Sequence, residues 1–243
     1  MNVTILVATL ISAYFIGAIS FARIVARIVK PGADLNQART RQREDGESGT
    51  VSGIGASTAS MALGNRYGFI VAILDMAKTF IPTIFLKLIY PDGSYHLVFG
   101  VIAVIGHIYP IYYRFEGGRG LSAMMGSLLA IDPLGLIISM IAGTLLAILI
   151  NQPTASLILW FPLLSIWAWI MRHDLSFIIF SITLLALFLI AEIPEIKLAL
   201  KYRKEGRMHE YNEMIIASSS QTRGMKRLAE KLRFWEKKNN PSS

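Results

Sequence analysis

The chain has 243 residues, of which 53% are hydrophobic and only 16% are charged, and its mean hydropathy is +0.51. Ordinary soluble domains carry about 25% charged residues, so this composition excludes both a typical soluble domain and a disordered chain. The absence of cysteine excludes disulfides, thiolate metal ligands and a cysteine nucleophile. In so apolar a chain, a net charge of +8 indicates an anionic membrane surface or a phosphorylated substrate rather than nucleic acid.

Seven apolar stretches follow one another along the chain, and each is predicted to cross a bilayer, which takes about 20 apolar residues. Leu121–Ile150 is longer, about 45 Å as a helix, and we divide it at Asp132-Pro133, which is a helix-start signal. The first stretch is not predicted to be a cleavable signal peptide, because no basic region precedes it and no small-residue cleavage site follows it. The predicted spans are Val3–Ala22, Tyr67–Tyr90, Tyr95–Tyr113, the two parts of Leu121–Ile150, Thr154–Met171 and Ser176–Ile190.

The distribution of charge predicts the orientation of these spans. Lys and Arg outnumber Asp and Glu by seven to four between Arg23 and Arg66, and by twelve to six between Ile193 and Ser243. By the positive-inside rule both segments are cytoplasmic, which requires an odd number of spans and an N-terminus outside. The sequence therefore predicts an all-α polytopic membrane protein with seven transmembrane helices.

The same pattern predicts two parts. Residues 1–192 form a seven-span membrane domain, and residues 193–243 form a basic cytoplasmic tail. Within the tail, Leu198–Trp235 is predicted either to be an amphipathic helix on anionic lipid or to be a basic segment that only fixes topology.

The most informative segment joins the third and fourth spans and reads GHIYPIYYRFEGGRG. Its glycines let backbone amides approach an anion, and the helix that follows adds a favourable dipole. An arginine can bind phosphate with two parallel hydrogen bonds, and His107 is a candidate for positioning a substrate or carrying a proton. The residues alone fit a tight interhelical turn with interfacial arginines equally well. The candidate phosphate-binding residues are Gly117, Gly118, Arg119 and Gly120.

This segment resembles a signature of the PlsY-type bacterial membrane glycerol-3-phosphate acyltransferases. In that family GH-x-x-P is followed by F-x-GG-basic-G, and the turn usually reads KGGKG. This chain has EGGRG, so Arg119 keeps the charge at one basic position and Glu116 replaces the lysine at the other. A carboxylate at position 116 would repel a phosphate.

The family's first loop carries G-x-D, a GSGN-x-GATN element and then an arginine. Gly32-Ala33-Asp34 matches the start, and Gly55-Ala56-Ser57-Thr58 is similar to GATN, with about eleven more residues between them than in the family. The run of residues 46–49 resembles a displaced GSG. Met61 stands where the family has its arginine. The resemblance makes Ser48 and Ser57 candidate catalytic residues, and it assigns substrate binding to Gly55, Ala56 and Arg66.

Two further residue patterns each allow two interpretations. His209-Glu-Tyr-Asn212 fits the family's third signature, H-x-x-N, but it lies about 17 residues beyond the last span, whereas Glu192–Lys197 has the position without the His and the Asn. We predict His209 and Asn212 as substrate-binding residues, with a solvated helix as the alternative. Asp75 and Lys78 share one helix face inside an apolar span, either as a functional pair or as a structural ion pair.

The resemblance implies an enzyme of the cell membrane that transfers an acyl chain from acyl phosphate to glycerol 3-phosphate. The products would be lysophosphatidate and inorganic phosphate, in the first step of phospholipid synthesis. The implied partners are the two substrates and the lipid bilayer, with no nucleic acid, metal, cofactor or acyl-carrier protein. The alternatives are an altered or inactive relative that binds phospholipid or a phosphorylated metabolite, and an unrelated transporter, although the internal symmetry typical of transporters is not evident.

Overall fold

The computed structural model of this chain describes residues 2–42, 48–50, 53–150 and 156–211, together with residue 224. These residues form helices except for one ribbon of two short antiparallel strands, β1 Thr40–Gln42 and β2 Ser48–Thr50, in which Thr40 lies opposite Thr50. The helices are α1 Val3–Gly17, α2 Phe21–Val29, α3 Leu35–Arg39, α4 Ala56–Leu63, α5 Asn65–Ile89, α6 Tyr95–Ile108, α7 Leu121–Ile131, α8 Pro133–Leu149, α9 Ser156–Trp167 and α10 Leu175–Lys204. A 3₁₀ turn, Ile111–Tyr113, follows α6, and a π-helical turn, Ala168–Arg172, extends α9.

Four segments of the described chain are long and apolar enough to cross a membrane. They are Val3–Val29, Asn65–Ile89, Tyr95–Tyr113 and Leu175–Lys204. Three shorter apolar helices accompany them: Leu121–Ile131, Pro133–Leu149 and Ile158–Met171. A helical membrane architecture is therefore confirmed, and the number of seven spans and their orientation stay predictions.

The first predicted span, Val3–Ala22, lies within the apolar segment Val3–Val29, but that segment is not one continuous helix. Helix α1 ends at Gly17, and α2 begins only at Phe21. The break leaves the carbonyl of Ile19 without a helical partner, and the ammonium of Lys78 from α5 donates to it at 2.6 Å. A hydrogen bond from another helix thus stabilises an interruption between α1 and α2 that hydropathy alone does not reveal.

The predicted break at Asp132-Pro133 is confirmed. Helix α7 ends at Ile131 and α8 starts at Pro133, where a missing backbone N–H costs nothing. The Asp132 carboxylate accepts hydrogen bonds from the backbone N–H of Gly135 and the indole N–H of Trp167, both at 3.0 Å. This buried side chain therefore caps α8 and ties it to α9.

Glycines allow close helix crossings in the described part of the bundle, as three examples show. A Cβ at Gly106 would lie 2.3 Å from the carbonyl oxygen of Tyr14, where α6 crosses α1. A Cβ at Gly126 would lie 2.2 Å from the carbonyl oxygen of Met76, where α7 crosses α5. Helix α8 meets α9 in the same way at Gly143. Small residues let helix backbones approach this closely.

Helix α10 runs further than the sequence predicts. It continues from Leu175 to Lys204, past the predicted span end at Ile190. The predicted boundary between residues 192 and 193 therefore falls inside a continuous helix, although Pro194 lies there. Its buried face, which includes Leu184 and Phe188, packs against Phe161 and Leu164 of α9 in the main apolar core.

Candidate active site

The glycine-rich turn before α7 folds back onto the end of α6. The N–H of Gly117 donates to the carbonyl of Ile108, and the N–H of Gly118 donates to the carbonyl of His107, both at 3.1 Å. The carbonyl of Gly117 in turn accepts from the N–H of Ile54 at 2.7 Å, which brings the segment before α4 against the turn. These two glycine amides are therefore engaged within the fold, contrary to the expectation that they would donate to a phosphate.

Close approach is the structural reason for these glycines. A Cβ at Gly117 would lie 2.1 Å from the carbonyl oxygen of His107, and a Cβ at Gly118 would lie 2.3 Å from Nε2 of the same residue. Gly120 has φ +84°, a conformation that favours glycine. The turn therefore lies directly on the imidazole ring.

Three buried side chains form a polar network behind this ring. The Lys78 ammonium lies 2.9 Å from a carboxylate oxygen of Asp75 and 2.9 Å from Nδ1 of His107. Because an ammonium group has no lone pair, Nδ1 must accept this hydrogen bond, and a neutral ring then carries its proton on Nε2. The same carboxylate oxygen lies 3.6 Å from Nδ1. The network therefore orients the Nε2–H group of His107 toward the turn.

One cavity of about 370 Å³ brings the two predicted motifs together. It is bounded by the start of α4, by α5, by the end of α6 and by the turn that begins α7. The predicted residues that line it are Gly55, Ala56, Ser57, His107, Arg119 and Gly120. Side chains from sequence segments about 50 residues apart thus share one space.

The cavity is lined by both polar and apolar residues. Ser57, Ser122 and Arg119 lie among its polar lining, whereas Phe69 and Ile73 of α5 belong to its apolar lining. Phe69 is 67% exposed and Ile73 is 47% exposed, so the apolar lining includes side chains at the exposed surface of α5, a helix long and apolar enough to cross a membrane.

Arg119 is paired with a carboxylate from α10. Its Nη1 lies 3.3 Å from Oε1 of Glu192, which is buried. Glu195, one turn further along α10, is also buried and accepts a hydrogen bond from the Tyr211 hydroxyl at 3.5 Å. Burial, together with the charges of these two glutamates, raises the pKa of Tyr211, so the phenol stays protonated as a donor.

Several predicted residues lie away from the cavity. Arg66 is exposed at the start of α5, and His209 is exposed in a helical turn after α10, and neither lines the cavity. The backbone of Ser48 belongs to β2, and Asn212 lies outside the described residues. Gly117 and Gly118 support the ring of His107 instead of lining the cavity.

Sequence reasoning missed part of the site. Ser60, Asn65 and Ser122 line the cavity, yet no motif singled them out. Glu192 had a usable signal, because it is an ionisable residue where the apolar stretch of α10 ends, and ionisable residues in membrane segments are candidates for function. Among the residues that the structure describes, no group of three His, Asp or Glu side chains is arranged to hold a metal ion.

The fold and the site together define a helical membrane protein with an arginine, a histidine and several hydroxyl groups around one cavity. The chain belongs to the glycerol-3-phosphate acyltransferase family, whose family model matches residues 7–201. This membership confirms the resemblance inferred from the glycine-rich turn and its surroundings.

Two relatives named glycerol-3-phosphate acyltransferase illustrate the similarity. The Aquifex aeolicus protein is 35% identical over 124 residues, which are 51% of this chain and 58% of that protein. The Bacillus cytotoxicus protein is 38% identical over 125 residues, which are 51% of this chain and 57% of that protein. The matched region therefore spans less than two thirds of the length of these relatives.

Crystal structures of PlsY, an integral membrane glycerol 3-phosphate acyltransferase, share the fold. The glycerol 3-phosphate form superposes with a TM-score of 0.67 at 23% identity, covering 83% of this chain and 93% of that chain. The lysophosphatidic acid form gives a TM-score of 0.64 with the same coverage.

Proposed function

We propose that this chain transfers an acyl group from acyl phosphate to the 1-hydroxyl of glycerol 3-phosphate, the first step of phospholipid synthesis. The observation that carries the proposal is the single cavity in which Gly55, Ala56 and Ser57 meet His107 and Arg119. Membership of the acyltransferase family supports it, as does the fold shared with a protein crystallised in glycerol 3-phosphate and lysophosphatidic acid forms. The proposal requires no metal or cofactor.

The polar residues that line the cavity suit the phosphorylated substrates. Arg119 provides a guanidinium for phosphate oxygens. Helix α4 begins at the cavity with Gly55 at its N-cap, and the N-terminus of a helix favours an anion. Ser57 offers a hydroxyl to orient glycerol phosphate, and Asn65 offers an amide. Ser48, Arg66, His209 and Asn212 stay as predicted contributors.

The chemistry is an acyl transfer at an already activated carbonyl. The 1-hydroxyl oxygen of glycerol 3-phosphate bonds to the acyl carbon, and the bond between that carbon and the phosphate oxygen breaks. The hydroxyl proton passes to the departing phosphate, so no dedicated base is needed. The Nε2–H of His107, fixed by Lys78, is suited to donate to an oxygen of either substrate.

The apolar lining of the cavity suits the acyl chain. Phe69, Ile73 and Met125 belong to this lining, and Phe69 and Ile73 are also exposed on the surface of α5. An acyl phosphate can therefore approach from the bilayer while its phosphate reaches Arg119. This arrangement supports a reaction at the boundary between membrane and water.

We further propose a cell-membrane topology of seven spans, with the N-terminus outside and both the cavity and the C-terminal tail on the cytoplasmic side. The lack of cysteine makes this testable, because single cysteines can be introduced without background. In intact cells, a membrane-impermeant thiol reagent should label Asp92→Cys in the α5–α6 loop but not Glu205→Cys at the end of α10, both of which are exposed positions. The reverse pattern would contradict the orientation.

The activity is tested with purified protein, a long-chain acyl phosphate and glycerol 3-phosphate. We expect acyl transfer to glycerol 3-phosphate, which gives lysophosphatidate, and no acyl transfer to glycerol, which would give monoacylglycerol, because Arg119 is proposed to bind the phosphate of the acceptor. An equal rate with a phosphate-free acyl donor would count against proton transfer to the leaving phosphate. No turnover by a well-folded protein would refute the proposal.

A second candidate function is binding without acyl transfer, to phospholipid or a phosphorylated metabolite. The Arg119–Glu192 pair favours it, because the main cation of the cavity already has a partner. Met61 and Glu116, which stand at positions where the family has cations, point the same way. Saturable binding of glycerol 3-phosphate without product formation would support this candidate over catalysis.

A further inference from the structure

Glu192 occupies a position that matters for the cavity although it does not line the cavity itself. Its Oε1 lies 3.3 Å from Nη1 of Arg119, whose side chain is 27% exposed and does line the cavity. Arg119 therefore lies between the space proposed for phosphate and a buried carboxylate of α10.

The contact between Arg119 and Glu192 does not have the geometry of an ion pair that fixes the orientation of an arginine. Orienting pairs are usually bidentate, with distances near 2.7–2.9 Å. Here one Nη1–Oε1 distance of 3.3 Å defines the pair, and Glu192 Oε1 has no hydrogen-bond partner among the described residues. The carboxylate is close enough to attract the guanidinium electrostatically, but it leaves most of the N–H groups of Arg119 for another anion.

The local charge also opposes a phosphate. Glu192 and Glu195 are both buried, one turn apart on α10, and Oε2 of Glu195 likewise has no hydrogen-bond partner within the described chain. Among the described residues, Arg119 forms an ion pair with Glu192, and no cation is seen paired with Glu195. A phosphate arriving at Arg119 therefore approaches the buried carboxylate of Glu192, and the buried carboxylate of Glu195 lies one turn further along α10.

We infer that Glu192 is an internal competitor for Arg119 and acts through that residue to weaken binding of the phosphorylated acceptor. Without substrate its carboxylate neutralises the guanidinium, and when a phosphate binds, this pairing is given up or shared. The inference rests on the proposed function for the identity of the acceptor, but it concerns binding and does not require turnover. It makes α10 a determinant of acceptor affinity through charge.

The size of the expected change in affinity depends on how strongly the Arg119–Glu192 pair competes with phosphate. The apparent dissociation constant for glycerol 3-phosphate rises as the fraction of protein with an available Arg119 falls. We expect the isosteric change Glu192→Gln to tighten binding of glycerol 3-phosphate about tenfold, which corresponds to ~1.4 kcal/mol. Glu195→Gln removes a nearby charge without touching Arg119, so it should tighten binding by a smaller factor, about two- to threefold.

The experiment is calorimetric titration of the purified full chain with glycerol 3-phosphate, and separately with inorganic phosphate. The matched control is Glu205→Gln, which removes the same charge from the exposed end of α10, where Glu205 contacts Lys201 and Arg207. We expect Glu192→Gln to lower the dissociation constant and, if the chain is active, to lower KM for the acceptor more than it changes kcat. The control should leave both unchanged.

A double-mutant comparison separates competition from a merely structural role. In an Arg119→Ala background, Glu192→Gln should no longer tighten binding, because the cation for which it competes is gone. Weaker or unchanged binding in Glu192→Gln would overturn the inference, as would equal tightening by the Glu205 control. If Glu192→Gln does not fold, Glu195→Gln carries the test, and unchanged binding there is the contrary result.

The experiments distinguish a chain without acyl transfer from a chain in which Glu192 does not compete for Arg119. A wild-type chain that forms no lysophosphatidate, yet binds glycerol 3-phosphate more tightly after Glu192→Gln, refutes the activity and supports the competition. A chain that turns over normally while Glu192→Gln leaves KM unchanged supports the activity and refutes the competition. Absence of phosphate binding in every variant contradicts both.

Discussion

Substituting Gly118 by alanine tests whether the glycine-rich turn positions His107. The added Cβ would lie 2.3 Å from Nε2 and 3.1 Å from Cδ2 of the ring. Since carbon contacts are optimal near 3.5 Å, the ring and the turn would have to separate by about 1 Å. The ring has little freedom to retreat, because Lys78 holds Nδ1 at 2.9 Å and is itself held by Asp75 and Ile19.

Gly118→Ala should lower both the stability of the fold and the rate of acyl transfer. Overpacking of this kind costs about 1–3 kcal/mol, so the melting temperature should fall by several degrees. A displacement of about 1 Å in a positioned group costs on the order of 100-fold in rate, so acyl transfer should fall by about that factor. Thermal unfolding in detergent and the rate of lysophosphatidate formation measure the two effects separately.

The matched steric control is Gly55→Ala in the same cavity. Its Cβ would meet Gly118 Cα at 3.8 Å, an ordinary contact, and its φ of −153° is extended backbone open to any residue. We expect the stability to change by less than about 1 kcal/mol, the cost of replacing glycine at an N-cap. A Gly118→Ala variant with the stability of this control and full activity would refute the reasoning.

Two further predictions concern buried polar pairs. Lys78→Met should destabilise the fold by about 3–5 kcal/mol, because the Asp75 carboxylate, 1% exposed, loses its cation. The double variant with Asp75→Asn should recover much of the melting temperature, and no recovery would contradict the pairing. Trp167→Phe should cost about 1–3 kcal/mol, because Asp132 loses the indole donor at 3.0 Å. The same change at Trp169, which is 67% exposed, should have no effect on the melting temperature, and equal losses at both positions would refute the assignment.

Local chemistry made part of the fold predictable. Proline lacks an N–H and aspartate caps helices, so Asp132-Pro133 marks a helix start whatever surrounds it, and α8 begins there. The glycine-rich turn was recognisable for similar reasons, since its residue types restrict the backbone. Hydropathy also located the long apolar helices, although α10 continues beyond its apolar stretch.

Tertiary contacts explain what the sequence could not predict. The break between α1 and α2 is stabilised by Lys78, which is 59 residues away along the chain. The cavity exists because α7 crosses α5 closely at Gly126 and because the turn folds onto His107. Glu192 meets Arg119 because α10 packs beside that turn. None of these proximities leaves a periodic or local signal in the sequence.

Arg119 is proposed to hold a phosphorylated substrate in a cavity that supports acyl transfer. A direct measurement follows lysophosphatidate and inorganic phosphate together, in wild type and in Arg119→Ala of equal melting temperature. We expect wild type to form the two products in equal amounts and Arg119→Ala to lose about 100-fold or more in kcat/KM for glycerol 3-phosphate. Unchanged kcat/KM in a folded Arg119→Ala variant would contradict the claim.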